Sequence, residues 1–95
     1  MLNSQDDVNK AVVSVVVEKI LLDMGKANYV KVINMLNKNY NCFLPDCYSK
    51  PEYLSAVLKE LFGASSKIIV ENIKVQLKEM IHQERIAQFV EVMSK

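Results

Sequence analysis

Ser65–Lys95 reads SSKIIVENIKVQLKEMIHQERIAQFVEVMSK, and its reading decides the fold of this chain. The stretch holds no proline and no glycine, so nothing in it forbids one long helix or two helices end to end. At about 100° per residue, Ile69, Ile73, Leu77 and Met80 fall within about 80° of one another and make an ordinary core face. Beyond His82 the apolar residues are Ile86, Phe89, Val90 and Met93, whose centre lies more than about 100° from that first stripe. Ile68 and Val75 share the second direction. Ile68, Val75, His82 and Phe89 recur every seven residues, but Asn72 and Glu79 interrupt the seam, so it is no leucine zipper.

A helix that changes face has two things to touch. The reading adopted is an extended helix over 66–93 whose outer part, residues 83–95, is a dimerisation extension. Ile86, Phe89, Val90 and Met93 then form the self-association face, since a small monomer rarely shows such a patch. The alternative kept open is a break near residues 82–85, with a fifth short helix folding back on the same core.

Working outward, Ser49-Lys50-Pro51-Glu52 has the form of a capping box with proline in the first turn. Tyr48 and Tyr53 stand where a hydrophobic staple would place them. This predicts a third helix over 50–62, with Tyr53, Leu54, Val57, Leu58, Leu61 and Phe62 inward, ending at Gly63. Ser65 or Ser66 would cap the next helix. A second helix is expected over 28–39, with Asn28 as its N-cap and Asn39 or Asn41 in the left-handed position at its end. The link to the third helix should be extended before Pro45, with Phe43 and Leu44 plugging the core and one isolated turn over 45–48.

The first helix is expected over 7–23. Its run VNKAVVSVVVEKILLDMG is strongly β-branched, but Asn9, Lys10, Ser14 and Glu18 fall near a spacing of four, which marks one narrow polar face. Asp6 and Asp7 suit a helix start, and Gly25 suits its end. The apolar arc is wide, running over Val8, Ala11, Val12, Val15, Val16, Ile20 and Leu22 and flanked by Val13, Val17, Leu21 and Met24. Such a helix is central or is covered by another subunit. Residues 1–5 look loose. The fold class is therefore all-α, with four main helices in one domain over 1–95.

Composition bounds the function. Twelve basic residues stand against eleven acidic ones, so there is no large positive field of the kind a DNA-coating protein carries. The longest uncharged apolar run, Ala11–Val17, is far too short to span a bilayer. The polar, acidic start MLNSQDDVNK is unlike a secretory signal, and the expected location is the cytoplasm. Cys42 and Cys47 are expected to be reduced core or loop thiols. With His82 as the sole histidine, neither a metal site nor any cofactor is expected. No phosphate loop or nucleophile–base array is present, so no catalytic residues are assigned and the chain is read as no enzyme.

One polar constellation supports an alternative. Lys67, Lys74, Lys78 and Arg85 lie within about 20° of a common line down the last helix, with Glu71 interrupting it and His82 at its border. They could track nucleic-acid phosphates, and a small DNA-associated regulator is the rival to an adaptor. The line carries no aromatic residue to stack bases.

The segment from Ala11 to Met80 resembles a small archaeal domain, the Nitrosopumilus output domain type. The resemblance rests on Leu22-Asp23-Met24-Gly25, then Leu36 and Tyr40, then Asp46-Cys47-Tyr48 followed by Pro51-Glu52-Tyr53-Leu54, and finally Leu58-Lys59-Glu60-Leu61-Phe62-Gly63 before an isoleucine-rich helix. It implies an output or adaptor module of archaeal signalling proteins and carries over no catalytic residues. Together these readings give a self-associating, non-enzymatic regulatory module, a homodimer with room for a second protein partner.

Overall fold

Five α-helices build the protein, and no strand occurs among the described residues, 4–95, of this computed structural model. The expected looseness of residues 1–5 lies, for 1–3, outside the described residues; Ser4 and Gln5 already belong to the first helix. The helices are α1 (Ser4–Asp23), α2 (Lys26–Tyr40), α3 (Pro51–Phe62), α4 (Ser66–Gln76) and α5 (Glu84–Met93). A 3-10 turn over Leu44–Tyr48 links α2 to α3.

Backbone chemistry explains most of the boundaries. Gly25 sits at φ 122°, ψ 138° and divides α1 from α2, a conformation that side-chain-bearing residues rarely adopt. Gly25, and not Asn28, is the N-cap of α2. The Asn28 amide instead donates back to the Met24 carbonyl at 3.1 Å. Asn41 closes α2 in the left-handed region, as a C-terminal asparagine can. The capping box at Ser49 does not form. Lys50 is the N-cap of α3 without a side-chain bond, and Asp46 instead accepts from the Phe43 N–H at 3.1 Å. Tyr53 stacks on Tyr40 with ring centroids 4.6 Å apart.

The core joins all five helices. Val13, Val17, Ile20 and Leu21 of α1 meet Val32 and Leu36 of α2, Leu54, Val57 and Leu58 of α3, and Ile69, Ile73 and Leu77. Leu44, Cys47 and Tyr48 close it from the 3-10 turn. The inward face of α1 differs from the expected one. Asn9, assigned to the polar face, is buried at 3% exposure, whereas Val8, Val15 and Leu22 look outward. Asn9 is tolerated inside because its side chain bonds to both Gln5 and Gln83.

The extended C-terminal helix is corrected by the structure. α4 stops at Gln76, a 3-10 turn covers Lys78–Met80, and Gln83 is extended at φ −83°, ψ 121° before α5 starts. The longest dimension of the molecule is 35 Å, less than the roughly 42 Å that 28 continuous helical residues would need. No proline or glycine causes the break. It is driven by burial, because only a reversal lets the second apolar stripe reach the core that the first already faces. The reversal is held locally by Met80 N–H to Leu77 O at 2.9 Å and Gln83 N–H to Met80 O at 3.0 Å. The His82 imidazole N–H also donates to the Glu79 carbonyl at 3.1 Å.

Candidate functional site

The break decides where each candidate residue goes. Ile86, Phe89, Val90 and Met93 are all buried, Ile86 and Phe89 almost completely, in the core of their own chain and against α3. These four side chains, expected as the self-association face of a dimerisation extension over 83–95, are thus enclosed within their own chain and present no exposed face to a second copy. The phase switch marks a change of direction within one core, which is the alternative the sequence left open.

The basic line is likewise divided. Lys67 and Lys74 stay on α4, where they line a cleft of about 470 Å³ between α3, α4 and the end of α5. Lys78 belongs to the 3-10 turn. Arg85 sits on α5, pairs with Asp6 at 3.3 Å and lies over the Tyr48 ring at 5.9 Å. No straight track of four cations remains for a nucleic-acid backbone to follow. Lys74 also pairs with Glu71 at 3.6 Å.

What the structure leaves uncovered is the outer side of α1. Val8, Ala11, Val15 and Leu22 are exposed and fall within about 60° of one another, roughly half a turn from the buried Val13, Val17 and Ile20. Val8, Val15 and Leu22 are spaced by seven, and Ala11 offers a small side chain for close approach. Beside this stripe a groove of about 230 Å³ is lined by Val15, Glu18, Tyr29, Ile33, Phe43 and Leu44. Phe43 was expected in the core, yet it is 62% exposed. The turn that buries Leu44 holds Phe43 at extended dihedrals, so the two side chains part company. Glu18 accepts a hydrogen bond from the Tyr29 hydroxyl at 3.2 Å across one wall. Burial first, and then the Glu18 carboxylate, push the Tyr29 phenol up from its ordinary value. Ile68 and Val75 form a second exposed pair on α4. The α1 stripe was visible in the sequence as part of a wide arc, but no local signal marked which half of the arc stays outside.

The thiols offer no chemistry that the geometry favours. Cys42 and Cys47 are free and buried, with both sulfurs facing the Phe43 carbonyl, at 3.3 and 4.0 Å. Burial above all pushes both thiols up, Cys47 far more strongly, which suppresses the nucleophilic thiolate. Among the described residues no three His, Cys, Asp or Glu side chains gather as metal ligands, and no helix is long and apolar enough to cross a membrane. No protein-family model, no curated protein and no solved structure matches the chain.

Proposed function

We propose that this chain is a non-enzymatic helical interaction module that pairs with a second copy of itself through the outer face of α1. One observation carries the reading: a single helix that is apolar on its core side also shows an apolar, heptad-spaced stripe to solvent. A helix hydrophobic all round is one that is covered all round. A second copy suits that stripe because an isologous pair needs only one self-complementary face, and Val8, Val15 and Leu22 repeat at the interval of a two-helix seam. Phe43, beside Val15 in the adjoining groove, is the exposed aromatic that would anchor the rim of such an interface.

The resemblance read from the sequence over residues 11–80, which no family model matches, would make the module an adaptor in a regulatory pathway, with the cytoplasm as its setting. The DNA-associated alternative is weakened, since Arg85 no longer extends the line that Lys67 and Lys74 begin.

Sedimentation velocity at micromolar concentration tests the proposal. The wild-type chain should sediment as a dimer, and Val8→Glu with Val15→Glu should sediment as a folded monomer. A monomeric wild type ends the self-association reading. A dimer untouched by both substitutions moves the interface off α1.

A further inference from the structure

The cleft between α3, α4 and the end of α5 is a second feature, independent of the α1 face. Its floor and walls include Leu58 of α3, Val70 of α4 and Met93 of α5. Four lysines, Lys59, Lys67, Lys74 and Lys95, line it against one carboxylate, Glu71. Lys59 Nζ donates to the main-chain oxygen of Lys95 at 2.7 Å, which ties α3 to the end of α5 across the cleft. At about 470 Å³ the space falls within the range of sites that take small organic molecules.

Two further groups point into this space. Ser55 and Ser66 are 7% and 5% exposed, and both line the cleft. No side-chain atom among the described residues is both fully enclosed and without a hydrogen-bond partner, so neither hydroxyl is an orphaned interior group. As hydroxyls on the cleft wall, both can donate to or accept from a polar group that enters it. Ser66 is also the first residue of α4, and its own N–H is bonded to Gly63 and Ala64 in the turn before it. Apolar floor, serine hydroxyls and an excess of lysine thus converge on one type of occupant.

We infer that this cleft binds a small amphipathic organic anion, with its apolar body on Leu58, Val70 and Met93 and its carboxylate or phosphate head toward Ser66, Lys67 and Lys74. Lys74 can turn to such a head because its pairing with Glu71 is a solvent-exposed contact of 3.6 Å, and exposed pairs of this kind hold weakly. A neutral molecule of the same apolar body would use the floor and leave the hydroxyls and lysines without their counter-charge.

The test is a titration of the isotope-labelled full chain, followed by amide NMR shifts, with decanoate, decyl phosphate, decanol and decyltrimethylammonium below their micelle concentrations. Decanoate or decyl phosphate should shift the Gly63, Ser66 and Lys67 amides to saturation, and the stronger of the two identifies the head group. Decanol and the cationic analogue should bind at least tenfold more weakly. Lys67→Glu with Lys74→Glu should weaken the anion at least tenfold, while Lys38→Glu, on α2, should leave it unchanged. Lys67→Gln, at an exposed position, carries the same comparison should the double variant not fold. Equal affinity for decanol, shifts that never saturate, or shifts confined to α1 would overturn the assignment.

Discussion

Asn9 Nδ2 donates to Gln83 Oε1 at 2.6 Å, a bond between residues 74 positions apart. It ties the start of α1 to the reversal between α4 and α5. Gln5 Nε2 donates to both side chains, to Asn9 Oδ1 at 3.0 Å and to Gln83 Oε1 at 3.3 Å. Beside it Tyr48 donates to Asp6 at 2.7 Å, and Arg85 pairs with the same carboxylate. The polar groups of α1 therefore do not simply face water; they hold the point where the chain turns back.

Asn9→Ala should destabilise the fold by about 1–3 kcal/mol, because it removes the bonds of a buried asparagine and leaves Gln83 Oε1 only the longer one from Gln5. Gln83→Ala should cost less, since Gln83 is only half-buried. Urea unfolding of both single variants and the double variant checks this. The double variant should fall short of the sum, as contacting residues do.

Phe89→Ala should act on folding, and Val15→Ala on association. Phe89 is 1% exposed, and removal of a buried ring of this size costs about 3–5 kcal/mol. That is a large part of the roughly 5–15 kcal/mol that holds a domain together. Val15→Ala lies on the surface and should change the stability of the monomer by no more than about 0.5 kcal/mol. Chemical unfolding read beside sedimentation separates the two effects.

Stability should decline as the solution becomes alkaline. Burial raises Cys47 far above its ordinary value of 9.0, and Cys42 is raised too. The unfolded chain therefore loses these protons first, and stability falls once the pH passes about 9. Tyr29 and Tyr48 act in the same direction from an ordinary value of 10.0. The urea midpoint should be flat across neutral pH and should drop above pH 9, and Cys47→Ala should make the drop shallower.

Gly25→Ala should destabilise by about 1–3 kcal/mol, the usual cost of forcing a side chain into a sparsely populated region of backbone space. The nearest atom to an added Cβ there is Asn28 Nδ2 at 3.9 Å, so the cost comes from φ 122° and not from crowding. Thermal unfolding of Gly25→Ala beside Ala27→Gly, which pays only a helix-propensity penalty, tests the difference.

The sequence by itself determined that the chain is helical and where most of its helices stop. Gly25, Asn41, Pro51 and Gly63 act through their own backbone preferences, so no partner is needed to read them. It also showed that Ile69, Ile73 and Leu77 could not share a straight helical face with Ile86, Phe89 and Val90. Only the tertiary structure decided how that conflict ends. A 3.6-residue period says that a helix has faces, but it does not say which neighbour covers them. The chain reverses over residues 77–83, where no local signal demands it, because α3 offers the second stripe a place in the core. The same rule turns Asn9 inward, where Gln5 and Gln83 satisfy it, and leaves Val8, Val15 and Leu22 outside. The cleft of Ser55, Ser66, Lys67 and Lys74 was equally hidden, since its walls come from three helices that only packing brings together.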